Sequence, residues 1–373
     1  MIADEEVISA VDAQAGTARE VLHFVHGHPE LGHEEHASSA HIAARLADGG
    51  FQVERGVGGM ATAFRATLVG ARPGRSVGIV ALYDAVPAVR PDGTVESVHS
   101  CGHGPISGGT AAAALALAGL RDHLAGSVVL FGCPADEIHA SGTAARGGGK
   151  ALSVAAGLWD GIDAALYAHP EFINTVSQAS LWMRRDRATI SGQRSLRKGV
   201  VAAPMAALRS LCTIIDQVAP DRVIVEQVNL HGDIEEGAGL VLAASFLLFA
   251  DDEAGLATAA QPLRDALAEA RWKEGPVVCA VRPDARVTAA VAEAFSAAGL
   301  DFVKDPPPLP FATDFGNISQ RVPSALIGVG RPGGWSFHTD EGARQFAGPD
   351  GEEVALGIAR VLALAAIRLT EPQ

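Results

Sequence analysis

No stretch of this 373-residue chain is apolar and uncharged for long enough to cross a bilayer as a helix, which takes about 18 or more such residues. The longest candidate, Leu240 to Ala250, falls well short, so no membrane-embedded segment is expected. Positive charge is also scarce. There are 29 lysines and arginines against 43 aspartates and glutamates, a formal net charge of -14. A surface of that sign repels the phosphate backbone of nucleic acid and acidic membrane headgroups, so neither is an expected partner. Cysteine occurs only four times, at 101, 133, 212 and 279, without the dense spacing of a disulfide-stapled domain. Reduced thiols are expected. The opening Met1-Ile2-Ala3-Asp4-Glu5-Glu6 is acidic where a secretory signal is basic and then apolar, so a cytoplasmic location is the expectation. Tandem repeats and extensive low-complexity segments are absent.

What is present is ample core material. Hydrophobic residues make up 48%, and the length predicts a large domain with an insertion or two unequal domains. Residues 5 to 48 read largely as helix, interrupted at Gly27-His28-Pro29. Ser76 to Leu82 and Ser127 to Phe131 read as strands, with a helix over Ile106 to Leu120 between them that opens at Pro105. A short apolar segment over 163 to 169 ends at His169. This succession predicts an α/β layer with right-handed crossovers and potential ligands gathered after strands, where open α/β sheets place their sites. From Trp182 the pattern changes. Strand-like segments near 182 to 191, 222 to 230 and 276 to 281 alternate with helical runs over 201 to 217 and Glu236 to Leu248, which reads as a compact α+β insertion. Helix Val287 to Ala298 and strand Ser324 to Val329 then return to the main domain. Between these two, Asp305 to Pro310 is too rich in proline for a helix or central strand, and predicts a rigid loop leading to Thr313-Asp314.

Chemistry concentrates at a few positions. Cys101-Gly102-His103 offers a thiolate and an imidazole; in an extended loop, residues two apart turn to the same side, and Gly102 permits close backbone approach. Glu137 adds an oxygen ligand, and neighbouring Asp136 could accept a proton from water acidified by a metal. With His169 and His338 the ligand types suit a borderline metal such as zinc. Taken singly, each reads more readily as an ordinary residue: the histidines as core or surface imidazoles, Asp136-Glu137 as a surface turn or helix start, and the Cys-Gly-His segment as no metal site. The basic run Arg184-Arg185-Asp186-Arg187, continued by Arg194, Arg197 and Lys198, is either a carboxylate-binding patch or solvated surface.

The ordered set is more specific than any member. His26-Gly27-His28-Pro29-Glu30-Leu31-Gly32 with Glu35, Tyr83-Asp84-Ala85-Val86-Pro87, His99-Ser100-Cys101-Gly102-His103, Pro134-Ala135-Asp136-Glu137, Ala168-His169, Thr313 to Ser319 and His338 follow one another over nearly the whole chain. In this order they resemble the peptidase M20 metallohydrolases, in particular the amidohydrolase branch of aminoacylases, hippurate hydrolases, auxin-conjugate hydrolases and aminobenzoyl-glutamate hydrolases. The resemblance implies an α/β, zinc-peptidase-like mixed sheet flanked by helices. Residues 1–180 and 284–373 would form the metal-binding catalytic domain, and 181–283 an inserted smaller α+β lid or dimerisation domain. It also implies that Cys101, His103, Glu137, His169 and His338 bind one or two divalent ions, zinc favoured and manganese or a related ion as the alternative. Cys101 would be the candidate bridging ligand, and Asp136 would shuttle the proton. His99, Asp84 and Asp314 fall in matched motifs, where orienting roles are expected. The partners implied are a small-molecule substrate and a second copy, a homodimer through the lid. The activity implied is hydrolysis of a C–N bond, usually an amide, in a small acylated or aromatic compound. Hydrolytic deamination of a small aromatic or heterocyclic compound, and a catalytically silent metal-stabilised binding or assembly protein, are the alternatives.

Four departures stand out. Asp136 occupies a position where the family usually has glutamate, which shortens the reach by about 1.5 Å. Gly104 replaces a usual aspartate, removing a carboxylate that could organise the metal loop or opening space for a substrate. No histidine occurs across Ser191 to Arg197, where the family tends to carry a lid histidine. The usual lid pattern of glycine, asparagine and arginine is replaced by His231 to Gly237 and Ala243 to Phe246. His231, Arg194 and Arg197 are the candidates to compensate.

Overall fold

The computed structural model describes residues 2–137, 141–192, 202–218, 221–232 and 239–372. Two compact units emerge: Met1–Ala179 with Val281–Pro308 and Asp314–Gln373, and Ser180–Ala280 with Leu309–Thr313. The second unit takes in Leu309–Thr313, a segment read from the sequence as part of the larger domain. There the Leu181 N–H donates to the Phe311 carbonyl at 3.2 Å.

The larger unit begins with α1 (Asp4–Asp12), α2 (Ala15–Gly27) and α3 (His36–Asp48), followed by β1 (Gln52–Arg55), β2 (Phe64–Val69) and β3 (Arg72–Ala81). A hairpin of β4 (Val86–Val89) and β5 (Val95–Val98) then leads to α4 (His103–Gly119) and β6 (Ala125–Gly132). Short helices α5 (Ser141–Arg146) and α6 (Gly149–Ala155) precede β7 (Ala164–Glu171). Sequence periodicity misses β1, β2 and the hairpin; β1 and the two hairpin strands have only four residues each, too few to establish an alternation. Helix α4 starts at His103 and not after Pro105, and Cys101 to His103 is not an extended loop. Gly102 has φ 89° and turns the chain directly into the helix; a Cβ there would lie 2.8 Å from Pro170 Cγ and force a left-handed conformation on an L side chain.

The smaller unit contains β8 (Trp182–Gly192), α7 (Ala202–Ile214), β9 (Val223–His231), β10 (Leu240–Ala250), α8 (Glu253–Ala266) and β11 (Arg271–Val278). Its four strands pair antiparallel in the order β11-β8-β10-β9, over a core that includes Phe246, Leu248, Leu256 and Leu263. The expected helix over Glu236 to Leu248 is a strand from Leu240, and residues 233–238 lie outside the described ones. An uninterrupted apolar run has no periodicity that separates helix from strand; pairing on both sides, to β8 and β9, decides the matter. The basic run is also largely structural. Arg184 clasps the buried Asp186 through Nε and Nη2 at 2.7 and 2.8 Å, and Arg185 forks onto Glu226 at 2.6 and 2.7 Å. Arg194, Arg197 and Lys198, and the stretch 193–197 where a lid histidine was sought, lie outside the described residues.

The chain returns to the larger unit through α9 (Ala285–Ala297), α10 (Phe315–Ser319), β12 (Ser324–Gly330), α11 (Asp340–Ala347) and α12 (Pro349–Thr370). Its main sheet has the order β1-β2-β6-β3-β7-β12. Strands β6, β3, β7 and β12 run parallel, while β2 is antiparallel to both β6 and β1, so the sheet is mixed as expected. Parallel strands need crossover helices that cover both faces, which is why Ile79, Val80, Leu130, Leu166 and Ile327 are buried. Helix α4 packs against α2 and α12, and is apolar and buried on nearly every side.

Candidate metal centre

The five candidate ligands expected from sequence converge beyond one edge of the parallel strands. Cys101 and His103 sit at the start of α4, Glu137 in the loop after β6, His169 near the end of β7, and His338 after β12. Donor atoms of Cys101, His103 and His169 lie within 4.8 Å of one another, as do those of Cys101, Glu137 and His338, and those of His103, Asp136 and Glu137. Individual separations are 3.8 Å from Cys101 Sγ to His169 Nε2, 3.8 Å from His103 Nε2 to Glu137 Oε1, and 3.6 Å from His338 Nε2 to Glu137 Oε1. Asp136 Oδ2 stands 3.5 Å from His103 Nε2.

The surroundings aim these donors. His103 Nδ1 donates to the Asp84 backbone carbonyl at 2.7 Å and lies 3.0 Å from Asp84 Oδ1, while Asp84 Oδ2 accepts the Glu137 N–H at 2.7 Å. One carboxylate thus orients two candidate ligands, the arrangement by which outer groups hold metal-binding imidazoles. Among the described residues His103 Nε2 is buried without a hydrogen-bond partner and faces the carboxylates of Asp136 and Glu137; burial disfavours its charged form, but Asp84 and then Asp136 raise its pKa well above the usual imidazole range, so this nitrogen calls for a proton or a divalent ion. His169 Nδ1 donates to the Pro170 carbonyl at 2.7 Å, and burial, reinforced by His103, pushes its pKa down to about 4. A neutral imidazole with Nε2 toward Cys101 is the ligating form. Burial, then Glu137, pushes the Cys101 thiol well up; a thiolate here therefore calls for a positive ion. A mixture of sulfur, nitrogen and oxygen donors with an orphaned imidazole nitrogen fits a divalent ion such as zinc.

Two of the three described non-glycine residues with positive φ lie in loops of this site. Ala135 and His338 both have φ 58°, a conformation that costs a non-glycine residue on the order of 1–3 kcal/mol. His338 is held by its N–H to the Ser100 carbonyl at 2.9 Å, and Ala135 by its N–H to Glu35 Oε1 at 2.8 Å. Glu35 is wholly buried and also accepts from Thr62 Oγ1 at 2.7 Å. Burial, then Asp84, lifts its pKa from 4.5 to about 7. Between those pH values the folded chain keeps a proton that the unfolded chain has lost, so stability falls as pH rises across the window. Glu35→Gln retains an acceptor for the Ala135 N–H and cannot ionise; its amide NH2 replaces the acceptor of the Thr62 hydroxyl, which turns to accept instead. Its thermal midpoint should match the native one near pH 4.5 and exceed it by a few degrees near pH 8; the same offset at both pH values would reject this account.

The sequence matches Peptidase family M20/M25/M40 over residues 80–360. The chain belongs to this family. Among curated relatives, one component of the p-aminobenzoyl-glutamate hydrolase of Escherichia coli K12 is 31% identical over 173 residues, 43% of this chain and 34% of that protein. The N-acyl-L-amino acid amidohydrolase of Geobacillus stearothermophilus is 26% identical over 236 residues, 61% of this chain and 53% of that protein. These matches therefore span only a third to about half of the relatives' lengths. A Bacillus subtilis dinuclear metal binding peptidase of the M20 family superposes with a TM-score of 0.70 at 19% identity, covering 97% of this chain and 98% of that one, which places this chain in the same fold.

Against this M20 background the departures acquire positions. Gly104 does not open space at the cluster: a Cβ there would face Leu22 O at 3.3 Å, Leu22 Cγ and His26 Cβ, so the glycine serves the packing of α4 on α2. His231 ends β9 in the smaller unit. Asp136 is not a solvated carboxylate, because Lys150 Nζ donates to its Oδ1 and lies 2.7 Å from Asp314 Oδ1. Burial opposes an ionised Asp136, but Lys150 first and His103 next hold its pKa below the usual carboxylate range. Sequence reasoning missed Lys150; the only signal was a lysine following three glycines in an otherwise apolar stretch. Asp314, expected to orient a neighbour, also accepts the Ala151 N–H at 3.0 Å. Beside His338, a cavity of about 430 Å³ is lined by the β4–β5 hairpin, Ser100, Thr339 and Asp340, within the size range of small-ligand sites.

Proposed function

We propose that this M20-family chain is a metal-dependent amidohydrolase that cleaves an amide C–N bond in a small acylated or aromatic compound. One observation carries the reading: five donors of three chemical types, from separate segments, gather in overlapping sets of three, with an additional carboxylate, Asp136, 3.5 Å from His103 Nε2. Cys101, His103, Glu137, His169 and His338 would hold the metal, and the thiolate and imidazole content favours zinc over manganese. A divalent ion, when bound, supplies positive charge that polarises an amide carbonyl and acidifies water. The remaining tasks fall to the chain. Asp84 fixes His103 and Glu137; Asp136 takes a proton on Oδ2 while Lys150 holds Oδ1, and returns it to the leaving amine. The cavity beside His338 suits a substrate of small-molecule size, and the names of the two curated relatives support an amide substrate.

The test is turnover by metal-stripped protein before and after reloading with zinc or manganese, on N-acyl amino acids, aminobenzoyl-glutamate and simple aryl amides. The expected result is metal-dependent release of a carboxylic acid and an amine. Ammonia as the only nitrogen product would move the assignment to a deaminase. Stoichiometric metal without turnover on the whole panel would make the protein a metal-stabilised binding or assembly protein.

A further inference from the structure

Lys150 belongs to no ligand set, yet it is among the largest fully buried side chains of the protein. Its ammonium meets Asp136 Oδ1 and Asp314 Oδ1 and lies 5.3 Å from the centre of the Tyr167 ring. The chain around it is built for this approach. Gly149 donates to the Pro134 carbonyl at 3.0 Å and Ala151 to Asp314 Oδ2 at 3.0 Å, and a Cβ on Gly148 or Gly149 would collide with Asp314 or with Pro134. The turn that delivers Lys150 is thereby tied to the loop that carries Asp136. Burying an ammonium costs several kcal/mol unless charge opposes it; here two carboxylates surround it.

Asp136 stands next to Glu137, and one of its oxygens, with His103 and Glu137, forms a set able to hold a metal by itself. Two roles compete for that carboxylate: ligand to the ion, or proton acceptor beside it. A carboxylate bound to a cation loses basicity, whereas one tethered at a single oxygen keeps the other oxygen available. We infer that Lys150 is a positioning residue that keeps Asp136 out of the metal's coordination shell. This rests on the metal-centre reading above. It accounts for a buried lysine at the base of the site, and for how a shorter acid than the family's usual glutamate stays off the ion.

The experiment is zinc titration of the metal-free protein against a chromophoric chelator, with cobalt(II) absorption as a second readout. In Lys150→Met the released Asp136 swings onto the ion, so zinc should bind about tenfold or more tighter than in the native protein, the scale on which outer-shell changes act. The cobalt(II) band should change in shape and intensity, and kcat should fall with KM little altered. Lys150→Met/Asp136→Asn should lose the affinity gain, because an amide is a poor ligand. Lys150→Met/Asp314→Asn removes one positive and one negative group together and so spares the buried charge balance; it should show the same gain even if Lys150→Met folds poorly. A merely structural lysine would lower the melting temperature without tightening zinc. Unchanged or weaker zinc binding in a folded Lys150→Met or Lys150→Met/Asp314→Asn protein overturns the inference while leaving the metal centre intact. No zinc binding by the native protein removes the metal centre and this inference with it.

Discussion

Asp136→Asn should leave zinc content unchanged and lower kcat by about a hundredfold or more, the usual loss when a general base is removed. The substitution barely changes volume, and the amide oxygen can still accept from Lys150, so the loop that carries Glu137 has no reason to move. What disappears is the capacity to take a proton at Oδ2, the oxygen nearest His103 Nε2. Metal analysis and steady-state kinetics on the same preparation separate the two effects. Unchanged kcat in a metal-replete variant would remove Asp136 from the chemistry. Loss of metal together with activity would instead make Asp136 a ligand, the role from which Lys150 is inferred to withhold it. Geometry gives the result its importance, because a misplacement of about 1 Å can cost roughly a hundredfold in rate, and the aspartate is shorter than the family's usual residue by more than that.

Cys101→Ser should weaken zinc binding by well over tenfold, since a neutral hydroxyl replaces a thiolate in the ligand set. Cys101, like His103 and Glu137, is shared by two of the three candidate ligand sets, in its case one with His103 and His169 and the other with Glu137 and His338, so its loss should affect both. The serine is close in size, and Cys101 precedes α4, whose buried residues run from His103 to Leu117. Isothermal titration of the metal-free variant measures the change directly; native affinity would rule out coordination by Cys101. A conformational artefact is distinguishable, because the thermal midpoint of the metal-free variant should stay near that of the metal-free native protein.

Much of this candidate site was legible in one dimension. Cys101 and His103, like Asp136 and Glu137, are local pairs, whereas the set of five candidate ligands, with the isolated His169 and His338, came from the resemblance to the M20 motifs in their order. The strands β3, β6, β7 and β12 were legible because buried parallel strands are continuous apolar runs. The same property misled at β10, where an apolar run resembles a helix until its neighbours pair with it. For Gly104 the sequence leaves open a lost loop-organising carboxylate or space for a substrate; its direction, toward Leu22 and His26, depends on the rotation of α4.

The sequence by itself determined the kind of chemistry, since donor types and their order are properties of the chain. Only the tertiary structure decided how Asp136 is held. Lys150 reaches it, and Asp314 reaches Lys150, from separate segments; Asp314 stood in a matched motif, but no period or spacing announced Lys150, and a lysine in an apolar stretch looks like a surface residue until the fold buries it. The reason is electrostatic: the cost of burying an ammonium is offset only where carboxylates meet around it, and that meeting exists only once β6, α6 and α10 are packed together.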